Sequence, residues 1–171
     1  MQHITFDLET LGNNYNAPII QIGAVKFEQD GSITDTFKHN IRWESLERYD
    51  FDIDYSTVRW WLSQSREAQN SVIDQRSVDL ITALTDFTKW IGKPEEYEYW
   101  THATFDPIVL GNAYRKTGVK YPIPFRQQRD IRTLTFLVGK LEVEKEGIAH
   151  TALDDAKFQA KYISAMLNKI P

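Results

Sequence analysis

Asp7 and Glu9 stand two residues apart in FDLET, Asp106 lies in TFDP, and His150 precedes Asp155 by five positions in HTALDD. In a strand, residues i and i+2 project to the same face, so Asp7 and Glu9 would stand side by side at a strand end. Two carboxylates that close repel, and one must bind a proton unless a cation intervenes. Their hard oxygen donors suit Mg²⁺ or Mn²⁺. The plainer reading of D-x-E is a strand ending in two solvated acids, but here Ile4, Phe6 and Leu8 surround the pair. Asp106 followed by Pro107 reads as a helix start, with Asp at the N-cap and Pro at the first helical position. One carboxylate oxygen can cap while the other binds metal. Asp154 and Asp155 both lie near a helix start, and either could cap it. A histidine beside metal-bound carboxylates can act as a general base, since its reference pKa is ~6.5. Gathered together, the three clusters would hold two Mg²⁺ or Mn²⁺ ions against a phosphodiester, which is nuclease chemistry.

The elements that must position these residues are readable in outline. Residues 3–8 alternate and form a strand, TLGNNYNA is a loop, and IIQIGAVKF is a buried strand. EQDGS supplies an Asp-Gly turn into the alternating SITDTFKHNI. Residues 42–55 form a long connection. Ser56 is expected to cap a helix through STVRWWLSQS. Val78, Ile81, Leu84 and Ile91 recur at helical spacing, and YEYWT is a short strand. The helix from Asp106 should end at Gly118. Asp130 is expected to cap a helix through IRTLTFLVGKL. A last helix begins near Asp154 with Ala156, Ala160, Ile163 and Leu167 on one stripe. This order implies an α/β fold in one domain spanning residues 1–171.

Composition narrows the function classes. Hydrophobic residues make up 42% of the chain, enough for a sizeable core. No run of about 18 apolar residues predicts a membrane span, and MQHITFDLE does not read as a signal peptide. Cysteine is absent, so thiol zinc sites and disulfides are excluded and a cytoplasmic location is expected. The net charge of -4 argues against tight, non-specific duplex binding. Setting aside four metal-binding carboxylates leaves the rest of the chain without net charge, and local Arg and Lys would then guide a strand.

The ordered motifs D-x-E, F-D and H-x4-D resemble those of the DEDD 3′→5′ exonucleases, which share a ribonuclease H-like fold. The resemblance runs from the first strand to the last helix and includes IIQIGAVKF as the second strand. It implies a mixed sheet, antiparallel in its first three strands and then parallel, flanked by helices. A Tyr-bearing subclass would need its aromatic at position 151, which is Thr, so the His subclass fits and Asp155 rather than Asp154 matches the last ligand. Size, TVRWW and WTHATFD look most like phage exonuclease A and small mycobacterial-type exoribonucleases. Many relatives have His-Asn before the second motif, where this chain has Thr101-His102.

The resemblance implies Asp7, Glu9, Asp106 and Asp155 as ligands of two Mg²⁺ or Mn²⁺. His150 would be the base that takes the proton from the attacking water, and Glu9 would help orient that water. It implies a single-stranded 3′ end of RNA or DNA as substrate and a 5′-mononucleotide as product. Thr10 and Leu11 match positions that touch the terminal nucleotide in relatives, with a loop residue folded onto the core as the other reading of Leu11; Phe105 could pack beside the sugar, with core packing the favoured reading. Relatives of this size are often homodimers, so a homodimer using the aromatic 43–61 region is expected. The alternatives are a non-catalytic nucleic-acid-binding protein of the same fold and a phosphohydrolase of small nucleotides. Trp60, Trp61 and the run from Arg126 to Arg132 carry no assignable role from sequence.

Overall fold

A computed structural model describes residues 2–73 and 76–170. Strands β1 (Gln2–Thr10), β2 (Ile19–Phe27) and β3 (Ile33–Asn40) form an antiparallel meander. Strands β4 (Tyr97–Thr101) and β5 (Gln128–Asp130) then add in parallel on the other side of β1. The sheet order is β3-β2-β1-β4-β5, so the expected mixed sheet is present.

The period-2 pattern of β1 divides the molecule. Ile4, Phe6 and Leu8 point to one face and join Ile20, Ile22 and Ala24 of β2 in the main core. That face is covered by α3 (Leu80–Ile91) and α4 (Asp106–Thr117), which bury Leu84, Phe87, Leu110 and Tyr114 there. Two shorter helices, α1 (Tyr55–Leu62) and α2 (Arg66–Val72), add Trp61 and Val72 to the same core. Each large apolar side chain so buried contributes roughly 1.5–3 kcal/mol. The opposite face carries Val25, Phe27 and Trp100 under α5 (Ile131–Val138) and α6 (Ala152–Leu167). No helix among the described residues is long and apolar enough to cross a membrane.

Several helix starts differ from expectation. Asp54, not Ser56, caps α1, its side chain accepting from the Ser56 N–H. Asp106 is the first residue of α4 rather than its cap, and Phe105 occupies the cap position. Its carboxylate is thereby released from ordinary capping. α6 begins at Ala152 behind Thr151, so neither Asp154 nor Asp155 caps it. Asp130 caps α5 as expected, accepting from the N–H groups of Arg132 and Thr133. Val78 lies outside α3, bridged to Ile41, and Ile81 is exposed. Leu80, Ala83 and Phe87 fill the buried stripe instead. The strand β5 and the helix α2 have no sequence counterpart, because three residues and seven residues are too short to show a period.

Candidate active site

The site forms where α6 crosses the polar half of β1. Asp7 pairs across the sheet with Gly23, and Glu9 with Gln21. A Cβ at Gly23 would lie 2.1 Å from the Ala152 carbonyl carbon and 2.2 Å from the Leu153 nitrogen. Only glycine lets the start of α6 lie this close to the strand. Gln21 locks the approach, its Oε1 accepting from the Ala152 N–H at 2.7 Å while its Nε2 donates to Asn40 Oδ1 and the Ser71 carbonyl. With α6 so seated, Asp155 one turn further on faces the two carboxylates of β1. A β-bulge between Glu9 and Thr10 ends the regular pairing at this point.

Carboxylate oxygens of Asp7, Glu9 and Asp155 all lie within 4.8 Å of one another. Burial pushes the Asp7 carboxyl well above its ordinary range, and the charges of Asp106, Glu9 and Asp155 push it further. A hydrogen bond of 2.8 Å from Gln159 Nε2 to Asp7 Oδ1 opposes this. Glu9 rises to about 8, again first through burial and then through Asp155 and Asp106. Asp106 rises to about 7 through burial, against backbone hydrogen bonds from Leu8 and His102. Asp106 therefore borders the cup, although neither it nor His150 falls inside the 4.8 Å group. The chain reverses after β4 to start α4, which delivers Asp106 beside the carboxyl end of β1.

His150 adopts a left-handed backbone (φ 63°) just before α6. Its ring meets Trp60 edge to face at 4.8 Å between centroids. Trp61 next to it is buried and donates its Nε1 hydrogen to the Thr10 carbonyl at 2.9 Å. The two tryptophans thus tie the histidine segment to the end of β1. Sequence alone could say that they diverge by about 100° on a helix but not which one turns inward.

The expected substrate residues have mixed placements. Thr10 and Leu11 are buried, and the Thr10 hydroxyl donates to the Gly12 carbonyl. Leu11 lies in the main core and also walls an open groove of about 470 Å³ with Trp43, Tyr49, Phe51 and Ile53. Phe105 is half-buried against the main core. In the basic run, Arg129 pairs with Glu98 at 2.7 Å, Arg126 lies over the Phe125 ring, and Arg132 donates to the Thr104 hydroxyl two residues before Asp106. His102 is held below its usual range by burial and then by Arg132.

Two residues at the site escaped sequence reasoning. Gln159 bridges β1 and α6, accepting from the Thr5 hydroxyl at 2.8 Å while donating to Asp7. Its position four after Asp155 on one helix was a usable signal. Lys145 places its ammonium 2.5 Å from Asp155 Oδ1. It belongs to the mixed-charge KLEVEKEG, which reads as solvated loop and offers no spacing signal.

Three crowded carboxylates with a fourth alongside, all hard oxygen donors, fit divalent Mg²⁺ or Mn²⁺. The fold agrees with known nucleases. At 15% identity, S. pombe Pop2p in its Mg²⁺- and Mn²⁺-bound form superposes with a TM-score of 0.67, covering 98% of this chain and 83% of that one. The zinc-bound complex of E. coli ExoI with single-stranded DNA gives a TM-score of 0.71 at 11% identity, covering 99% of this chain but only 41% of the larger protein. The exodeoxyribonuclease of Enterobacteria phage T4 is 26% identical over 153 residues, covering 74% of this chain and 67% of the phage protein. The model of the 3′-5′ exoribonuclease Rv2179c-like domain matches residues 2–167. Motif order, a ribonuclease H-like sheet and a match over nearly the whole length lead to one assignment: the chain belongs to the Rv2179c-like 3′-5′ exoribonuclease domain family, among the DEDD 3′→5′ exonucleases.

Proposed function

We propose that the protein removes 5′-mononucleotides one at a time from the 3′ end of a single-stranded nucleic acid. The observation that carries this reading is the convergence of Asp7, Glu9 and Asp155 within 4.8 Å, with Asp106 alongside. Asp7, Glu9, Asp106 and Asp155 would hold two Mg²⁺ or Mn²⁺ ions. When bound, these supply the positive charge that activates water near neutral pH and stabilises the departing O3′.

The chain's own groups do the rest. His150 takes a proton from the attacking water as its oxygen bonds to phosphorus and the P–O3′ bond breaks. Trp60 holds that imidazole by its edge-to-face contact. The H-x4-D spacing of His150 and Asp155 supports the His subclass. Glu9 accepts a hydrogen bond from the same water and so orients it. Gln159 fixes the rotamer of Asp7. The groove beside Leu11 offers an apolar wall to the terminal base, a contact that accepts any base because each has an apolar face. Thr10 at the bulge and Phe105 at the start of α4 are assigned with Leu11 to the substrate contacts. The exposed side chains of Trp43, Ile53 and Tyr55 support self-association through the 43–61 region. A monomer mass by light scattering would remove that part of the reading.

The family description names an exoribonuclease and the phage relative is an exodeoxyribonuclease, so both sugars need testing. The experiment is parallel digestion of 5′-labelled single-stranded RNA, single-stranded DNA and duplexes with Mg²⁺ or Mn²⁺. A ladder shortening from the 3′ end, absent for Asp7→Ala, is expected. Tight binding without turnover would instead support a non-catalytic binding protein. Faster release from mononucleotides than from oligomers would point to a small-nucleotide phosphohydrolase.

A further inference from the structure

Residues 139–151 cross from α5 to α6 without helix or strand. They follow one face of α6. The Leu141 N–H reaches the Tyr162 hydroxyl at 3.5 Å, Glu146 pairs with Lys161 at 3.0 Å, and the Ile148 N–H donates to Asp154 at 3.0 Å. Lys145 lies over the Phe158 ring at 5.7 Å and ends 2.5 Å from Asp155 Oδ1. Most of these contacts are exposed, and exposed ion pairs contribute little. The Lys145–Asp155 contact differs. The Asp155 side chain is only 16% exposed and stands in a group of like charges, so a cation there is attracted by several carboxylates at once. Its charge also favours the ionised form of Glu9.

We propose that Lys145 is a built-in competitor of the divalent cation for Asp155, so that metal loading and release of the 139–151 strap are one event. The inference rests on the metal-site reading of the carboxylate cup. A carboxylate oxygen in short contact with an ammonium must give up that contact before it can ligate a divalent ion. His150 lies five residues beyond Lys145 on the same strap, so exchanging the ammonium for a metal frees the segment that carries the proton acceptor. Weak metal affinity in the resting protein is the consequence. Lys145 offsets part of the charge of the cup until a cation is abundant enough to displace it.

The test is Mn²⁺ titration of the full chain, followed by electron paramagnetic resonance, with melting curves as a check on folding. Lys145→Met should bind Mn²⁺ with a Kd about three- to tenfold lower than the wild type. Lys145→Arg should stay near the wild-type value. Lys140→Met removes the same charge from the same strap without touching Asp155, and should change the Kd by less than about twofold. Equal effects of Lys145→Met and Lys140→Met, or weaker binding by Lys145→Met, would overturn the competitor role. Asp7→Ala separates the two levels. If it loses Mn²⁺ binding, the cup is the metal site whatever Lys145 does. If it binds as the wild type does, the metal-site reading fails and the competitor role falls with it.

Discussion

The two faces of β1 are built from alternate residues of one strand and obey opposite rules. On one face Ile4, Phe6 and Leu8 are buried among apolar neighbours and hold the fold together. On the other, Thr5, Asp7 and Glu9 meet α6 in a setting that raises carboxyl pKa values and stores repulsion. The first face is satisfied within the chain. The second is satisfied only when protons or cations enter it. Function resides where the local rules of stability are broken, and the intact face supplies the stability that the strained face gives up.

The sharpest way to break this contrast is to mutate neighbours. Asp7→Asn should reduce hydrolysis at least about a thousandfold while leaving the melting temperature equal or higher, because a buried repulsive charge is gone. Phe6→Ala, one residue away, should instead cost about 3–5 kcal/mol of stability in urea unfolding, with activity lost only through unfolding. If Asp7→Asn destabilised the protein as Phe6→Ala does, the two faces would not be functionally distinct.

Gly23→Val joins the faces. Its side chain would collide with the Ala152–Leu153 backbone. We expect a loss of about 3 kcal/mol or more together with Mn²⁺ binding, since α6 and Asp155 move as a unit. A variant with wild-type melting and metal affinity would show that the close approach does not position the site.

Gln159→Leu is milder. It removes the hydrogen bond that orients Asp7 and should weaken Mn²⁺ binding about 10- to 100-fold with little change in fold. Unaltered affinity by the same titration would reduce Gln159 to a packing residue.

The same contrast predicts a pH slope of opposite sign to the usual carboxylate case. Glu9 at about 8 and Asp106 at about 7 hold protons in the folded chain that the unfolded chain releases near 4.5 and 3.8. Their contribution to metal-free stability is therefore fully present at acid pH, falls as pH rises above the unfolded values, and is lost by about pH 8. Melting in EDTA across about pH 5–9 should show that decline, Mg²⁺ should reverse it, and Glu9→Gln should flatten it. A metal-free stability that rises through this window and does not respond to Glu9→Gln would contradict the strained state of the cup.

Much of this was legible in the chain because the signals are local. The alternation of β1, the apolar run of β2, the Asp130 cap and the Gly118 stop depend only on near neighbours, and each is found where those patterns put it. The motif order also identified which acidic residues to watch. What local pattern could not decide was convergence. Motif spacing favoured Asp155 over Asp154 but gave no physical reason; in the fold Asp154 turns to the Ile148 N–H and Lys157 while Asp155 turns to Asp7 and Glu9. The choice follows from where α6 begins, and that follows from Gly23 and Gln21, about 130 residues earlier in the chain, admitting the helix backbone to the sheet. Trp60 and Trp61, Gln159, and Lys145 took their roles the same way. The chain alone determined the first four strands, the Asp130 cap, the Gly118 stop and the chemical types at the site. Only tertiary packing decided which carboxylate oxygens converge within 4.8 Å and which side chains hold them there, because those distances are set by one backbone resting on another.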